Sequence, residues 1–334
     1  MAINQITNQV FIGGCSRSGT TLLGSMLGTN SACVCSPESH FKIAILRTLS
    51  DDWQHINLKD VMAFTMKHWR FQIWELPLEL DHIAEEAEGE SYSNMLNWLV
   101  SQYAHDEGKH EARVWVDHTP ENISYASTLS DLYPTSKFIH LVRDGRGVAA
   151  SIMPLDWGPN SIVKAARWWM RMVSFGLAAE SFLPPDRIMR VKYEALVAEP
   201  DKTLQAICRF LGLTYEPDMK DATGFRPPRY TIRQHRLVGS KPNRQISNRW
   251  KSQLSAREIE IFEHQTRNFL SYLAYPLEYG VKAKGPTFRE MQAGKQQELI
   301  RGEFINKIKW LIRSYPLWLK RDFYKFAKLT DTNN

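Results

Sequence analysis

The chain of 334 residues, with 43% hydrophobic and 11% aromatic residues, is long and apolar enough to bury one large α/β core or two ordinary ones. Its formal charge of +6 is modest, and 36 acidic residues stand beside 42 basic ones, so an anionic ligand is favoured over a nucleic-acid partner. The chain starts with MAINQITNQ and has no apolar run of membrane-spanning length, and its four cysteines lack disulfide or zinc spacing, so we expect a soluble, cytoplasmic protein with reduced thiols and no zinc site.

Four short apolar runs predict buried strands at residues 9–13, 113–116, 137–142 and 187–191. Apolar residues at helical spacing follow the first run, and the later intervals are long enough for crossover helices. The sequence therefore predicts an α/β fold with a P-loop-like, doubly wound, mainly parallel sheet flanked by helices. The strands lead into the polar clusters GCSRSGTT, DHTPEN, RDGRG and KYE, at the sheet edge where such folds bind ligands.

The rest of the chain predicts one domain over residues 1–284 and a C-terminal extension over 285–334. A helical insert at 41–112, rich in Trp and His, is expected to cover the site, and its aromatic side chains either bind the acceptor or fill the core. Within the extension, residues 305–328 are basic and aromatic. They either make a peripheral contact with an anionic membrane or pack on this domain or on a second subunit of a homodimer.

The stretch GGCSRSGTTLLGSMLG, residues 13–28, has the glycine spacing of a nucleoside-triphosphate loop, but Thr20 replaces the lysine. A glycine turn before a helix offers backbone N–H groups and the positive end of the helix dipole to an anion. Without the lysine, a ligand with a single phosphate here is favoured, and Arg17 could clamp one of its oxygens. The alternative is a strand-to-helix turn that binds nothing.

A second basic loop follows the strand in KFIHLVRDGRGVAAS, residues 137–151. Arg143 and Ser151 can face one point at the end of the strand if the helix starts near Val148. Two anion sites on one sheet edge predict a ligand with two separate phosphate groups. The alternative is a local ion pair between Arg143 and Asp144.

These stretches, with RVKYEALVAEPDKTLQAICRFLGL and NRWKSQLS, resemble the sulfotransferase family that uses 3′-phosphoadenosine-5′-phosphosulfate (PAPS). The chain is most similar to the carbohydrate and tyrosylprotein branch, in a soluble bacterial form, although Ser16 replaces that branch's loop proline. The resemblance implies a 5′-phosphosulfate loop, a 3′-phosphate loop and an adenine-side tyrosine. The implied contacts are Arg17, Ser18, Gly19, Thr20 and Thr21 for the first, Arg143 and Ser151 for the second, and Tyr193 for the third.

The resemblance also implies the catalytic residues. The branch has a catalytic Glu at the spacing that separates Glu38 from Arg17, so Glu38 is the expected base for the acceptor hydroxyl, with His40 as its rival. The family's lysine before x-Pro is replaced here by His118, which could assist the leaving phosphate if protonated. Glu38 as a solvated acid and His118 as a structural residue are the alternatives.

The late loop carries further candidates for closing over the 3′-phosphate, namely Arg244, Arg249 and Lys251. Trp250 is expected to pack, and Asn248 stands where the family often has Ser or Gly, which leaves its contact open.

The activity that the resemblance implies is in-line transfer of the sulfuryl group from PAPS to an acceptor hydroxyl or amine, releasing adenosine 3′,5′-bisphosphate, with no metal ion. A small molecule or a glycan is the expected acceptor. Two alternatives stay open: a P-loop small-molecule kinase or nucleoside triphosphatase, which the missing lysine disfavours, and an inactive nucleotide-binding scaffold.

Overall fold

A computed structural model describes residues 6–48, 58–76, 91–228 and 247–318. In this part of the chain, five parallel strands form one sheet with the order β2-β3-β1-β4-β5. The strands are β1 Asn8–Gly14, β2 Cys33–Ser36, β3 Val114–Asp117, β4 Lys137–Val142 and β5 Ile188–Lys192. Four of them, all except β5, are buried over nearly their whole length, as expected for a parallel sheet covered on both faces.

Helices connect and cover the strands. They are α1 Thr20–Thr29, α2 His40–Thr48, α3 Leu58–Lys67, α4 Trp69–Gln72, α5 Tyr92–Asp106, α6 Ala126–Leu132, α7 Gly145–Ile152, α8 Ile162–Phe182, α9 Tyr193–Ala198, α10 Pro200–Leu211, α11 Trp250–Gln253, α12 Ala256–Tyr272, α13 Phe288–Glu298 and α14 Asn306–Trp318. Short 3₁₀ turns lie at Pro120–Tyr125, Pro217–Asp221 and Gly280–Lys282, and a π-helical turn spans Leu299–Ile305.

The strand order positions the site. From β1 the chain builds β2 and β3 on one side and then crosses to build β4 and β5 on the other, so the order reverses beside β1. Open α/β sheets bind ligands at the carboxyl ends of the strands at such a reversal. The predicted doubly wound, parallel α/β fold is confirmed, and the loops after β1 and β4 adjoin because these strands pair directly.

All four predicted strands are present, shifted by no more than one residue at either end. The edge strand β2 was not predicted, because CVCS is only four residues long and has a single β-branched residue. Helix α10 begins at Pro200 and is closed by Gly212, which has the left-handed backbone conformation.

The described parts of the insert are helical and supply core. Phe41 and Trp74 lie 5.5 Å apart between ring centroids and are buried in the same cluster as Phe11 and Trp115 of the sheet. Of the two roles considered for the aromatic residues of the insert, Trp74 therefore has the second, which is to fill the core. Trp53 and His55, also part of the predicted insert, lie outside the described residues.

The extension consists of α13, the π-helical turn and α14. Among the helices in the described ranges, none is both long and apolar enough to cross a membrane. The predicted stretch 305–328 is described only as far as residue 318. The division into a domain, an insert and an extension stays a prediction.

Candidate functional site

The loop between β1 and α1 is a tight turn shaped by two left-handed residues. Arg17 has φ 73° and Gly19 has φ 100°. A Cβ on Gly19 would lie 2.6 Å from the ring of Tyr193, so only glycine fits between the loop and the first residue of α9. This contact joins the loop after β1 to the end of β5.

The first turn of α1 offers a polar surface at the sheet edge. Ser18, Thr20 and Thr21 are buried there, and within the described chain no side chain caps the helix at Gly19. The uncapped N–H groups of a helix start carry a positive partial charge, which favours an anion. The predicted 5′-phosphosulfate residues therefore lie together at this helix start.

The two predicted phosphate loops are in direct contact. Arg17 Nε donates a hydrogen bond of 3.2 Å to Ser151 Oγ on α7, and Arg143 Nη1 donates one of 2.8 Å to the Arg17 carbonyl. The Arg143 guanidinium also lies 4.5 Å from the ring centroid of Tyr193. The structure thus brings Arg17, Arg143, Ser151 and Tyr193 into one cluster.

The alternative of a local Arg143–Asp144 ion pair is wrong. Asp144 binds Arg146 instead, with Arg146 Nη2 2.7 Å from Asp144 Oδ2, and Arg146 also reaches Glu263 at 2.6 Å. Arg143 instead contacts the Arg17 carbonyl and the Tyr193 ring.

Two polar atoms of this cluster are candidates for contact with a ligand. Among the described residues, eight buried side-chain polar atoms have no hydrogen-bond partner, and Ser18 Oγ and Arg143 Nε are two of them. An unpaired buried polar atom costs about 1–3 kcal/mol, so such atoms mark either strain or a partner yet to bind. One donor belongs to each loop, which fits a ligand with two separate anionic groups.

The positive charge of the cluster is itself costly. Burial, with the nearby charge of Arg143, lowers the pKa of the Arg17 guanidinium from its usual value, while the charge of Glu38 opposes this shift. Two guanidinium groups held close together favour an anion that neutralises both.

Glu38 lies next to this cluster and is held by His40. His40 Nε2 is 2.9 Å from Glu38 Oε2, and His40 Nδ1 is 2.6 Å from Glu121 Oε2. Arg70 Nη1 approaches the same Glu38 oxygen at 3.7 Å. The imidazole therefore sits between two carboxylates.

The charges of this group reinforce one another. Burial alone would raise the pKa of the Glu38 carboxyl, but the hydrogen bond and charge of His40 hold it well below its usual range. Burial would lower the pKa of the His40 imidazole, yet the hydrogen bonds and charges of Glu121 and Glu38 together raise it to about 9. Glu38 is thus ionised and His40 protonated at neutral pH, which favours Glu38 over His40 as an acceptor of a proton.

His118 lies in a different environment. It is 1% exposed, its Nδ1 is 3.6 Å from Cys35 Sγ, and its ring centroid is 4.8 Å from that of Phe225. Burial lowers the pKa of the imidazole, so its neutral form is favoured before any ligand is bound. The role expected for His118 stays a prediction, and it would depend on negative charge supplied by the ligand.

A buried ion pair that the sequence analysis missed supports the Glu38 segment. Lys42 Nζ lies 2.6 Å from Asp117 Oδ2 and also donates to Ser39 Oγ and Asn122 Oδ1, at 2.9 and 2.6 Å. Burial would raise the pKa of the Asp117 carboxyl, but the charge of Lys42 and the hydrogen bonds from Lys42, Ser39 and Thr119 lower it to about 2. The signal available in the sequence was the DHTPEN cluster, whose Asp was not assigned a role.

The late loop is described from residue 247 onward, and Arg244 lies outside the described residues. Trp250 is buried under the Arg146 guanidinium, whose central carbon is 4.1 Å from the ring centroid. Lys251 pairs with Glu278 at 2.6 Å, on an exposed surface. Arg249 is exposed. Burial raises the pKa of the Tyr193 hydroxyl, and the positive charge of Arg249 opposes this shift.

A metal site is not evident in the part of the chain that the structure covers. There, no group of three or more His, Cys, Asp or Glu is arranged to hold a metal ion.

The sequence matches a known family over most of the fold just described. Residues 9–217 match the model of the sulfotransferase family. A protein-tyrosine sulfotransferase of Drosophila melanogaster is 24% identical over 212 residues, covering 62% of this chain and 38% of its own length. Protein-tyrosine sulfotransferase A of Caenorhabditis elegans is 23% identical over 219 residues, covering 64% of this chain and 52% of its own length. The chain thus spans about half or less of the length of these curated relatives.

Solved structures share the fold. The sulfotransferase domain from the curacin biosynthetic pathway superposes with a TM-score of 0.53 and 19% identity, over 82% of this chain and all of that domain. The sulfotransferase domain of the Synechococcus PCC 7002 olefin synthase gives a TM-score of 0.55 and 22% identity, over 83% and 98%. With the family model covering more than half of its residues, this chain belongs to the sulfotransferase family.

Proposed function

We propose that this protein transfers the sulfuryl group of PAPS to an acceptor hydroxyl or amine and releases adenosine 3′,5′-bisphosphate. The observation that supports it most is the pair of joined loops, in which Ser18 Oγ and Arg143 Nε are buried donors without partners among the described residues. A nucleotide with a 5′-phosphosulfate and a 3′-phosphate would supply an acceptor to each.

The residues of the first loop would hold the sulfuryl end. Arg17, the Ser18 and Thr20 hydroxyls and the N–H groups of the first turn of α1 would stabilise the negative charge of the equatorial oxygens. PAPS, when bound, supplies an activated sulfuryl group, so the chain's own task is positioning and electrostatic stabilisation. The proposal requires no metal ion.

The residues of the second loop would hold the other end of the nucleotide. Arg143 and Ser151 would bind the 3′-phosphate, Tyr193 would lie at the adenine side, and Arg249 would close over the nucleotide. Arg17 belongs to both groups, because it already bonds Ser151.

Glu38 would take the proton of the acceptor hydroxyl. His40, protonated up to a pKa of about 9, would fix the Glu38 carboxylate and keep it ionised. A carboxylate stabilised in this way is a weaker base, so its value lies in geometry and in accepting the proton late, as the sulfuryl group transfers. His118 would donate to the leaving phosphate once the charge of that phosphate offsets the cost of burial.

We propose a small-molecule or glycan acceptor, no nucleic-acid partner, and a cytoplasmic location at the periphery of a membrane. A phenolic hydroxyl is the first acceptor to test, because the relatives from Drosophila melanogaster and Caenorhabditis elegans are protein-tyrosine sulfotransferases.

The first experiment measures thermal stabilisation by adenosine 3′,5′-bisphosphate and by ATP with Mg²⁺. We expect the bisphosphate to raise the melting temperature and ATP to have little effect, since a ligand that binds only the folded state stabilises it. Preferential stabilisation by ATP would instead favour a kinase or nucleoside triphosphatase.

The second experiment follows label from ³⁵S-PAPS into pools of phenols, sugars and amines. We expect labelled product with the natural protein and a loss of at least about 100-fold in rate for Glu38→Gln, with bisphosphate binding retained. Bisphosphate binding without any labelled product from a broad pool would favour the inactive scaffold.

A further inference from the structure

The extension packs on the body of the protein with its polar side chains. Glu298 Oε1, at the end of α13, accepts hydrogen bonds of 2.7 Å from Asn160 N and 2.6 Å from Ser161 N, at the start of α8. Gln297 and Asn306 bond Asn160 as well, and Arg301 donates to the Pro154 carbonyl at 3.3 Å. These contacts fix the extension on the residues that follow α7.

The apolar side chains of the same segment lie on the surface. A helix on a globular protein ordinarily turns its apolar side inward, and here the polarity is reversed. The exposed group, called here the outer apolar face, consists of Leu299, Ile300, Phe304, Ile305, Ile308 and Ile312, with exposures between 40% and 70%. Contiguous exposed apolar surface marks an interaction site.

The charge of the sequence segment that begins with the outer apolar face indicates what this face contacts. Residues 299–328 contain eight basic and two acidic residues, a net charge equal to that of the whole chain, +6. Lys307 and Lys309, within α14, are both exposed. Apolar side chains interspersed with lysine and arginine are typical of helices that lie in the interface of an anionic bilayer.

We infer that the outer apolar face binds an anionic lipid bilayer and holds the candidate site at the membrane surface. The inference rests on the proposed location at the membrane periphery and adds the surface that makes the contact. The extension is anchored at Pro154 and Asn160, close in sequence to Ser151 of the second loop. Bilayer contact would therefore bring the sheet edge that carries both loops near lipid-borne or membrane-anchored acceptors.

The test is co-sedimentation of the full chain with phosphatidylcholine vesicles, with and without about 30% phosphatidylglycerol, at two salt concentrations. We expect binding that needs the anionic lipid and weakens in high salt. Replacing Ile300, Phe304 and Ile308 together by Gln should reduce the partition coefficient by about tenfold or more.

A matched control replaces three exposed apolar residues elsewhere, Phe175, Phe182 and Val281, by Gln, and it should bind vesicles as the natural protein does. A second variant, Lys307→Glu with Lys309→Glu, should weaken binding to anionic vesicles without removing apolar area. Stabilisation by adenosine 3′,5′-bisphosphate, measured on every variant, reports folding and the nucleotide site separately, so failure here is distinguishable from failure of the proposed function.

Three results would overturn the inference. One is no sedimentation of the natural protein with anionic vesicles, and another is equal binding to neutral and anionic vesicles. The third is a concentration-dependent dimer, seen by analytical ultracentrifugation, that the triple variant at 300, 304 and 308 loses and the control keeps, because a second copy would then cover the outer apolar face.

Discussion

Arg143 contributes more than one contact to the candidate site, because its guanidinium bonds the Arg17 carbonyl and lies over the Tyr193 ring. We predict that Arg143→Ala loses most of the stabilisation by adenosine 3′,5′-bisphosphate while the protein stays folded. Charge-assisted hydrogen bonds contribute about 1.5–3 kcal/mol, which corresponds to a loss of about tenfold to 100-fold in affinity. The measurement is a thermal-shift titration, with the exposed Arg171→Ala as control; an unchanged affinity would remove Arg143 from the site.

His40 predicts a pH dependence of stability whose sign follows from its raised pKa. The folded-state value of about 9 lies above the ordinary value of 6.5, so its contribution is complete below about pH 6.5 and is lost as the pH rises through about 9. We expect a fall on the order of 2 kcal/mol across this window, after allowing for solvent around Glu121. Urea unfolding at several pH values checks this, and His40→Gln should flatten the profile.

Lys42 and Asp117 illustrate a residue-scale feature that the sequence did not reveal. A lysine two residues after His40 looks like an exposed helix residue, yet it is fully buried and satisfied by groups from three other positions. Burial of a charge depends on partners distant in sequence, so periodicity cannot predict it. The proximity of Arg17, Ser18 and Arg143, by contrast, was predictable, because they lie in loops at the carboxyl ends of two paired strands.

At the scale of elements, the Lys42–Asp117 pair holds the start of α2 to the end of β3. Lys42→Met should destabilise the protein by about 3–5 kcal/mol, because it leaves the Asp117 carboxylate buried and unpaired. Removing the second charge as well, in Lys42→Met with Asp117→Asn, should restore part of the loss. Urea unfolding measures both, and a double variant less stable than the single one would contradict this account.

The turn from β1 into α1 makes a second prediction at this scale. Gly19→Ala should cost about 1–2 kcal/mol of backbone strain and, in addition, displace the Tyr193 ring, which lies 2.6 Å from the added methyl group. Stabilisation by the bisphosphate should fall with it. Gly108→Ala is the control, since Gly108 has φ 70° but nothing within 4 Å of the added carbon, so it carries the strain alone and should leave nucleotide binding intact.

The sequence predicted most of the sheet but not its whole extent. Strands β1, β3, β4 and β5 carry enough buried apolar residues to be recognised, whereas β2 is a short edge strand whose position depends on pairing with β3. The aromatic insert was ambiguous for a similar reason. Composition alone does not distinguish a Trp that binds a ligand from one such as Trp74 that packs among other rings.

At the scale of the whole molecule, all four cysteines are free and buried, which agrees with the predicted reduced thiols. Burial raises the pKa of each thiol, to about 12 for Cys33 and about 11 for Cys208. We therefore expect no fast reaction with an aromatic disulfide reagent in the folded state, and four equivalents on unfolding. Rapid modification of Cys15, which lies in the loop between β1 and α1, would show that this loop opens. Protection by the bisphosphate would then report occupancy of the site.

Glu298 accepts from the first backbone amides around α8, and seven residues into that helix Trp169 donates from its indole nitrogen to the Arg143 carbonyl at 3.2 Å. Helix α8 therefore contacts the extension at its start and the cluster of Arg17, Arg143, Ser151 and Tyr193 in its second turn. If bilayer binding changes the affinity for the nucleotide through α8, nucleotide binding must change the affinity for the bilayer by the same factor, because coupling free energies are reciprocal. The partition coefficient on vesicles, compared between the free and bisphosphate-bound protein, measures that coupling.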